Sequence, residues 1–200
     1  MNLSTCYPQQ FNFTLIDPLE LVISKSKWIE LRGFNPKNSL WHPKKDWLVQ
    51  PLFSEYNEFL GYQARDVFET NQELKYKLSS KIWHYYVKTD KEDIQGYKII
   101  CEGTIDCSLL RRVGLNAYTC LGLKKERLFF LRKQLLEEEE KLFFCFDNDA
   151  IGKDCANILT SIGLFLRFPV VYKDINEFLL KDKQSFIQWI KQVKELTKHE

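Results

Sequence analysis

The chain has 200 residues, 44% apolar and 28% charged, with 29 Lys and Arg against 27 Asp and Glu for a net charge of +2. That balance suits one large or two small soluble domains, and it excludes a global polycation, so any nucleic-acid surface has to be a local patch. None of the six cysteines (Cys6, Cys101, Cys107, Cys120, Cys145, Cys155) forms a Cys-x-x-Cys pair, and His42, His84 and His199 are scattered. No zinc ribbon or finger is therefore expected, and the thiols are expected to be free in a reducing compartment. The first residues lack a basic region followed by an apolar run, and no apolar stretch approaches the ~20 residues of a membrane span. A cytoplasmic protein without membrane contact is expected.

In chain order, Pro8, Pro18, Pro36 and Pro43 punctuate the first forty residues, with a short helix expected over 18–27. Residues 47–53 and 59–65 read as a hairpin joined by a turn over 54–58, and 74–78 as a further strand. The charged stretch 88–95 reads as a linker. From Tyr97 onward the pattern alternates: strands over 98–102, 117–120, 142–146 and 164–171, with helices over 105–113, 124–140 and 152–162. Such spacing predicts a parallel sheet with right-handed crossovers. Arg111 and Arg112 are expected on or beside the solvated side of their helix, and Glu137 to Glu140 as a solvated helix end without a catalytic role. Trp83, Tyr85 and Tyr86 fit a packed aromatic cluster better than base-stacking residues. A last helix over 182–199 carries Phe186, Ile190 and Val193, with Trp189 and Leu196, on one face, as core packing requires.

Chemistry concentrates in three acidic clusters, each following an apolar run: Glu102 and Asp106; Asp147 and Asp149; Asp174 and Glu177. Open α/β sheets gather ligands at the carboxyl ends of their strands, so these acids can converge. Two carboxylates ~4 Å apart repel by about 4 kcal/mol at an effective dielectric of 20, and a divalent cation relieves that repulsion. A magnesium site handling phosphate follows. The competing explanation for Asp147 and Asp149 is that they merely cap a helix, and for Asp174 and Glu177 that they form a solvated helix start.

Glu102-Gly103-Thr104-Ile105-Asp106 and Asp147-Asn148-Asp149-Ala150-Ile151-Gly152, about forty residues apart, resemble the signature of the TOPRIM domain. Leu121-Gly122 and the Lys173-Asp174-x-Asn176-Glu177-Phe178-Leu179 stretch are similar to the primase branch, as are Gly61-Tyr62-Gln63-Ala64-Arg65 and Lys75-Tyr76 upstream. The resemblance implies a TOPRIM-type, parallel-rich α/β sheet over 98–181. A small α+β primase-like lobe over 1–97 precedes it and a helix over 182–200 follows. It implies catalysis by Glu102, Asp147 and Asp149. Mg2+ or Mn2+ would be held among Glu102, Asp106, Asp147, Asp149, Asp174 and Asn176, where the family often has Asp at the last of these positions. Arg65, Lys75 and Lys77 would bind nucleotide or nucleic acid. The implied function is synthesis of short RNA primers on single-stranded DNA from ribonucleoside triphosphates. Such primases usually begin with a zinc-binding module, so a separate zinc-binding partner or a replicative helicase is a natural companion. A TOPRIM nuclease and a non-catalytic nucleic-acid-binding or replication-partner-binding module are the alternatives.

Overall fold

A computed structural model describes residues 40–42, 47–66, 76–78, 82, 84–123 and 125–198. The helix expected over 18–27, Cys6, Lys75 and Trp83 lie outside the described residues. Four antiparallel strands form the first sheet in the order β1 (Leu40–His42), β2 (Trp47–Phe53), β3 (Phe59–Asp66) and β4 (Tyr76–Leu78). The β2–β3 turn closes where expected: Ser54 N–H donates to Glu58 O at 2.9 Å, and Asn57 takes the left-handed conformation that asparagine tolerates (φ 65°). Side chains alternate along a strand, so Tyr62 and Ala64 share one face of β3 while Gln63 and Arg65 share the other.

The second sheet is parallel, in the order β6 (Ala117–Thr119), β5 (Tyr97–Cys101), β7 (Lys141–Cys145) and β8 (Leu164–Phe165). Among the described residues five helices accompany it: α1 (Thr104–Arg112), α2 (Lys125–Leu135), α3 (Ala150–Leu159), α4 (Ile175–Lys181) and α5 (Lys183–Lys198). Every residue of β5 is buried, because helices cover both faces. Ile99, Cys101, Phe143 and Cys145 pack with α1, α4 and α5, whereas Ile100, Leu142 and Phe144 pack with α2 and α3. The five described cysteines are buried and in no disulfide. No helix among the described residues is long and apolar enough to cross a membrane.

Several elements depart from the sequence reading. The strand expected over 164–171 has only two residues, and Val170 and Val171 are exposed. Pairing ends at Phe165, and Pro169, which lacks an N–H and restricts Phe168, does not let a strand resume. Helix α2 stops at Leu135, and the glutamates beyond it are not simply solvated. Glu138 and Glu140 reach the buried Lys98, which also pairs with Glu55 of the β2–β3 turn at 2.8 Å. Burial alone would lower the Lys98 pKa, but bonds to Glu138 and Glu55 outweigh it and hold the pKa high.

The supposed linker is a clamp between the sheets. Val87 forms a bridge with Thr119 at the edge of β6, and Lys88 forms one with Phe53 of β2. Arg111 is buried, not solvated; it donates to Asp90 at 2.7 Å and to Ala117 O at 3.2 Å. Tyr86 is buried in the core as expected, and Tyr85 stacks on Phe130. Along α5, Phe186, Trp189, Ile190 and Val193 are buried, but Leu196 is exposed.

Candidate active site

From β5 the chain crosses through α1 to β6 on one side, and from β7 it crosses through α3 to β8 on the other. The crevice between two adjacent strands with opposite crossovers is where such sheets receive ligands. Glu102 directly follows β5, and Asp147 follows β7 by two residues. Both line a cavity of about 360 Å³ with Asp106, Lys173, Asp174 and Asn176, and Gln63 and Arg65 of the antiparallel sheet line the same space. The acids therefore face a basic and amide wall from another sheet.

Local structure fixes these side chains. The backbone carbonyl of Glu102 accepts from Thr119 Oγ1 at 2.9 Å and from Gly122 N–H at 3.0 Å. Those bonds require the left-handed turn at Leu121 (φ 58°) and Gly122 (φ 100°). Gly152 is required for another reason: a Cβ there would meet Asp147 O at 2.1 Å, so only glycine lets α3 start against the Asp147 backbone. Asn148 pins the opposing loop, with its N–H on Lys173 O at 2.7 Å and its amide on Tyr172 O at 2.8 Å.

The expected site residues separate into groups. Glu102, Asp106, Asp147, Asp174, Asn176 and Arg65 are brought to one cavity. Asp149 does not line it; its Oδ1 accepts from Gly152 N–H at 2.8 Å, the helix-cap role. Asp174 does both, capping α4 through Glu177 N–H at 2.6 Å while lining the cavity. Lys75 lies outside the described residues, and Lys77 is placed only by its register with Ala64 on β3. The sequence reading assigned no role to Gln63, Thr104 or Lys173. Gln63 stands two residues before Arg65 and so shares its strand face, the signal that would have found it. Thr104 Oγ1 donates to Gln63 Oε1 at 2.6 Å, joining the first turn of α1 to the antiparallel sheet. Lys173 directly precedes Asp174 and lines the cavity beside it.

Crowding of the acids is visible in their protonation. Burial, then Glu102 and Asp174, pushes the Asp147 pKa up to about 7. Burial, with Asp147, Asp174 and Glu102, holds Asp106 well above the carboxylate range, against the pull of Arg65. Glu102 is raised by burial and by Asp149, and its Oε2 is buried with no hydrogen-bond partner. Among the described residues, no three His, Cys, Asp or Glu side chains form a ready-made metal cage. Mg2+ does not need one: it retains waters and takes one or two carboxylates plus substrate phosphates. Hard oxygen donors, an orphan carboxylate oxygen and excess negative charge fit such an ion.

Residues 99–179 match a family model described as Toprim-like. The chain thus carries a Toprim-like segment, and the fold is that of bacterial and phage primase catalytic cores. A primase fragment of Aquifex aeolicus containing zinc-binding and RNA polymerase domains superposes with a TM-score of 0.56 at 19% identity, over 87% of this chain and 57% of that one. The chain therefore spans little more than half of that fragment. The primase fragment of the bacteriophage T7 primase-helicase gives 0.56 at 15% identity, over 90% and 75% of the two chains. A DnaG primase catalytic domain bound to single-stranded DNA gives 0.55 at 16% identity, over 95% and 78%. An uncharacterized protein of Mycoplasma genitalium, MG010, is 28% identical over 191 residues, covering 82% of this chain and 85% of its own.

Proposed function

We propose that the protein is a metal-dependent nucleotidyltransferase of the primase type, joining ribonucleotides on single-stranded DNA. The observation that supports this reading most is the shared cavity: carboxylates from the ends of β5 and β7 face Arg65 and Gln63 from a second sheet. The likeness to primase cores also extends beyond the Toprim-like segment into that second sheet, which a Toprim nuclease would not need.

Glu102 and Asp147, with Asp106 and Asp174 beside them, would hold Mg2+ or Mn2+. The ion would supply charge neutralisation at the transferring phosphate. In the reaction the 3′-hydroxyl of one nucleotide attacks the α-phosphorus of the next. A P–O bond forms, the P–O bond to pyrophosphate breaks, and the hydroxyl proton leaves. Glu102, whose Oε2 is buried and unpaired, would serve either as a ligand to the ion or as the acceptor of that proton. Arg65 binds phosphate oxygens, a role its rigid fork of donors suits. Asp149 acts through position: it caps α3 and thereby fixes Asp147. A replicative helicase or a zinc-binding protein is the companion this reading proposes.

The test separates chemistry from binding. Glu102→Gln removes a charge and preserves volume, so RNA synthesis should fall at least 100-fold while binding to single-stranded DNA stays within about twofold. Cleavage of labelled nucleic acid without nucleotides, lost in the same variant, would instead identify a nuclease. A silent substitution with neither reaction would identify a binding module.

A further inference from the structure

Helix α2 leaves an apolar stripe uncovered. Phe129 is 67% exposed and Phe130 50%, and Leu136, just past the helix end, is 56% exposed. Backbone bonding of helical type continues beyond Leu135, from Leu136 N–H to Arg132 O at 3.1 Å and from Glu137 N–H to Gln134 O at 3.0 Å. The spacing therefore lays Phe129, Lys133, Leu136 and Glu137 on one face, with Phe130 at its border. The two rings are already ordered: Phe130 stacks on Tyr85 at 5.9 Å, and Phe129 stands edge-on to Phe130 at 5.7 Å. Side chains ordered in advance lose little entropy when a partner covers them.

The charges on this face select the partner. Arg127 and Arg132 turn to His84 O and Ser161 Oγ, and Glu138 and Glu140 turn to Lys98. Lys133 and Glu137 remain, both exposed, and neither joins an ion pair with another described residue. A nucleic acid would be repelled by Glu137 and by the exposed Glu139 beside it. A uniformly acidic or basic partner would satisfy one charge and oppose the other. A second copy of the same face, turned about a two-fold axis near Lys133, answers both. Phe130 then meets Leu136 of the second copy. Glu137 of that copy lies about 6 Å along the helix from Lys133, within a lysine's reach.

We propose that α2 is a self-association face, on which two copies of this chain pair antiparallel through Phe129, Phe130 and Leu136, with Lys133 of each copy bonded to Glu137 of the other. The proposal is independent of the nucleotidyl-transfer reading. No residue of α2 lines the acidic cavity, so pairing does not consume that site. Three apolar side chains per copy bury less than the roughly 800 Å² per partner of a stable complex, so the dimer is weak, with a Kd on the order of 100 µM.

Sedimentation equilibrium of the full chain, from about 5 to about 500 µM in about 0.15 M salt, tests the face. The average mass should rise with concentration from one chain toward two. Phe129→Ser, at an exposed position, should weaken association about tenfold or more. Lys133→Glu and Glu137→Lys should each weaken it severalfold alone, because each sets like charges against one another across the axis. Mixed in equal amounts, these two variants should pair with each other as tightly as the parent, since each then meets the opposite charge. A mixture no better than either variant alone would overturn the pairing. Growth past two copies, or association that survives Phe129→Ser, would place the contact elsewhere and overturn it too. A chain that stays monomeric throughout would overturn the proposal outright, and weaker binding of single-stranded DNA by monomeric Phe129→Ser would then give the face to nucleic acid.

Discussion

Asp147 shows how a single side chain carries the electrostatic state of the cavity. Its folded-state pKa, pushed up to about 7 by burial and by Glu102 and Asp174, lies above that of an unfolded carboxylate. The folded chain therefore binds this proton more tightly than the unfolded one. Without metal, stability should fall as pH rises from the ordinary carboxylate range through about 7, then level off. The loss is on the order of 1–2 kcal/mol once solvent screening at a part-exposed group is allowed for. Thermal unfolding in EDTA should show this slope, and Asp147→Asn should flatten it. Added Mg2+ should raise the melting temperature at pH 8 far more than at pH 5. A metal-free stability that rises with pH over this range would contradict the assignment.

Among the elements, the first turn of α3 and the connector over 85–93 decide whether the site is held. Gly152→Ala forces a Cβ against the Asp147 carbonyl, a backbone atom that cannot swing away. Urea unfolding should report a loss of about 1–3 kcal/mol, as overpacking produces. The same substitution should reduce metal binding by displacing Asp147. A variant as stable as the parent would show that α3 starts elsewhere. Lys98, under the β2–β3 turn, is surrounded by Glu55, Glu138 and Glu140. Lys98→Ala leaves three half-buried carboxylates together without their cation, so a loss of about 1–3 kcal/mol is expected. A loss under 1 kcal/mol would mean that water reaches the cluster.

The sequence revealed the elements whose signal is local. Ile99-Ile100-Cys101 and Phe143-Phe144-Cys145 are apolar runs between helical patterns, and they became the central parallel strands. The edge was harder to read. Val170 and Val171 look like strand residues, but Pro169 before them removes a ladder donor, and they project from a loop. Arg111 and Lys88 look solvated by charge alone, and only the approach of the other sheet and of Asp90, Asp93 and Asn116 explains their burial. In the site, Glu102, Asp106 and Asp147 were legible because each follows a strand within a few residues. For Asp149 the cap and the ligand stood as alternatives, since whether an Asp at a helix start points to the backbone or to a cavity is decided by the turn geometry.

At the scale of the whole molecule, two sheets close on a shared cavity, where the proposed joining of ribonucleotides would take place. The contacts that hold this closure run from Gln63 to Thr104, from Gln50 to Ser108, and through the Val87 and Lys88 bridges. The change of sheet type between β4 and β5 is thus bridged by side-chain and backbone hydrogen bonds. The most direct measurement is a primer-synthesis assay. The full chain is incubated with single-stranded DNA, four ribonucleoside triphosphates and Mg2+ or Mn2+, with matched reactions on labelled DNA lacking nucleotides. Short oligoribonucleotides that depend on metal, and that vanish in Glu102→Gln and Asp147→Asn, are the predicted result. Robust cleavage of the labelled strand with no extension product would contradict it.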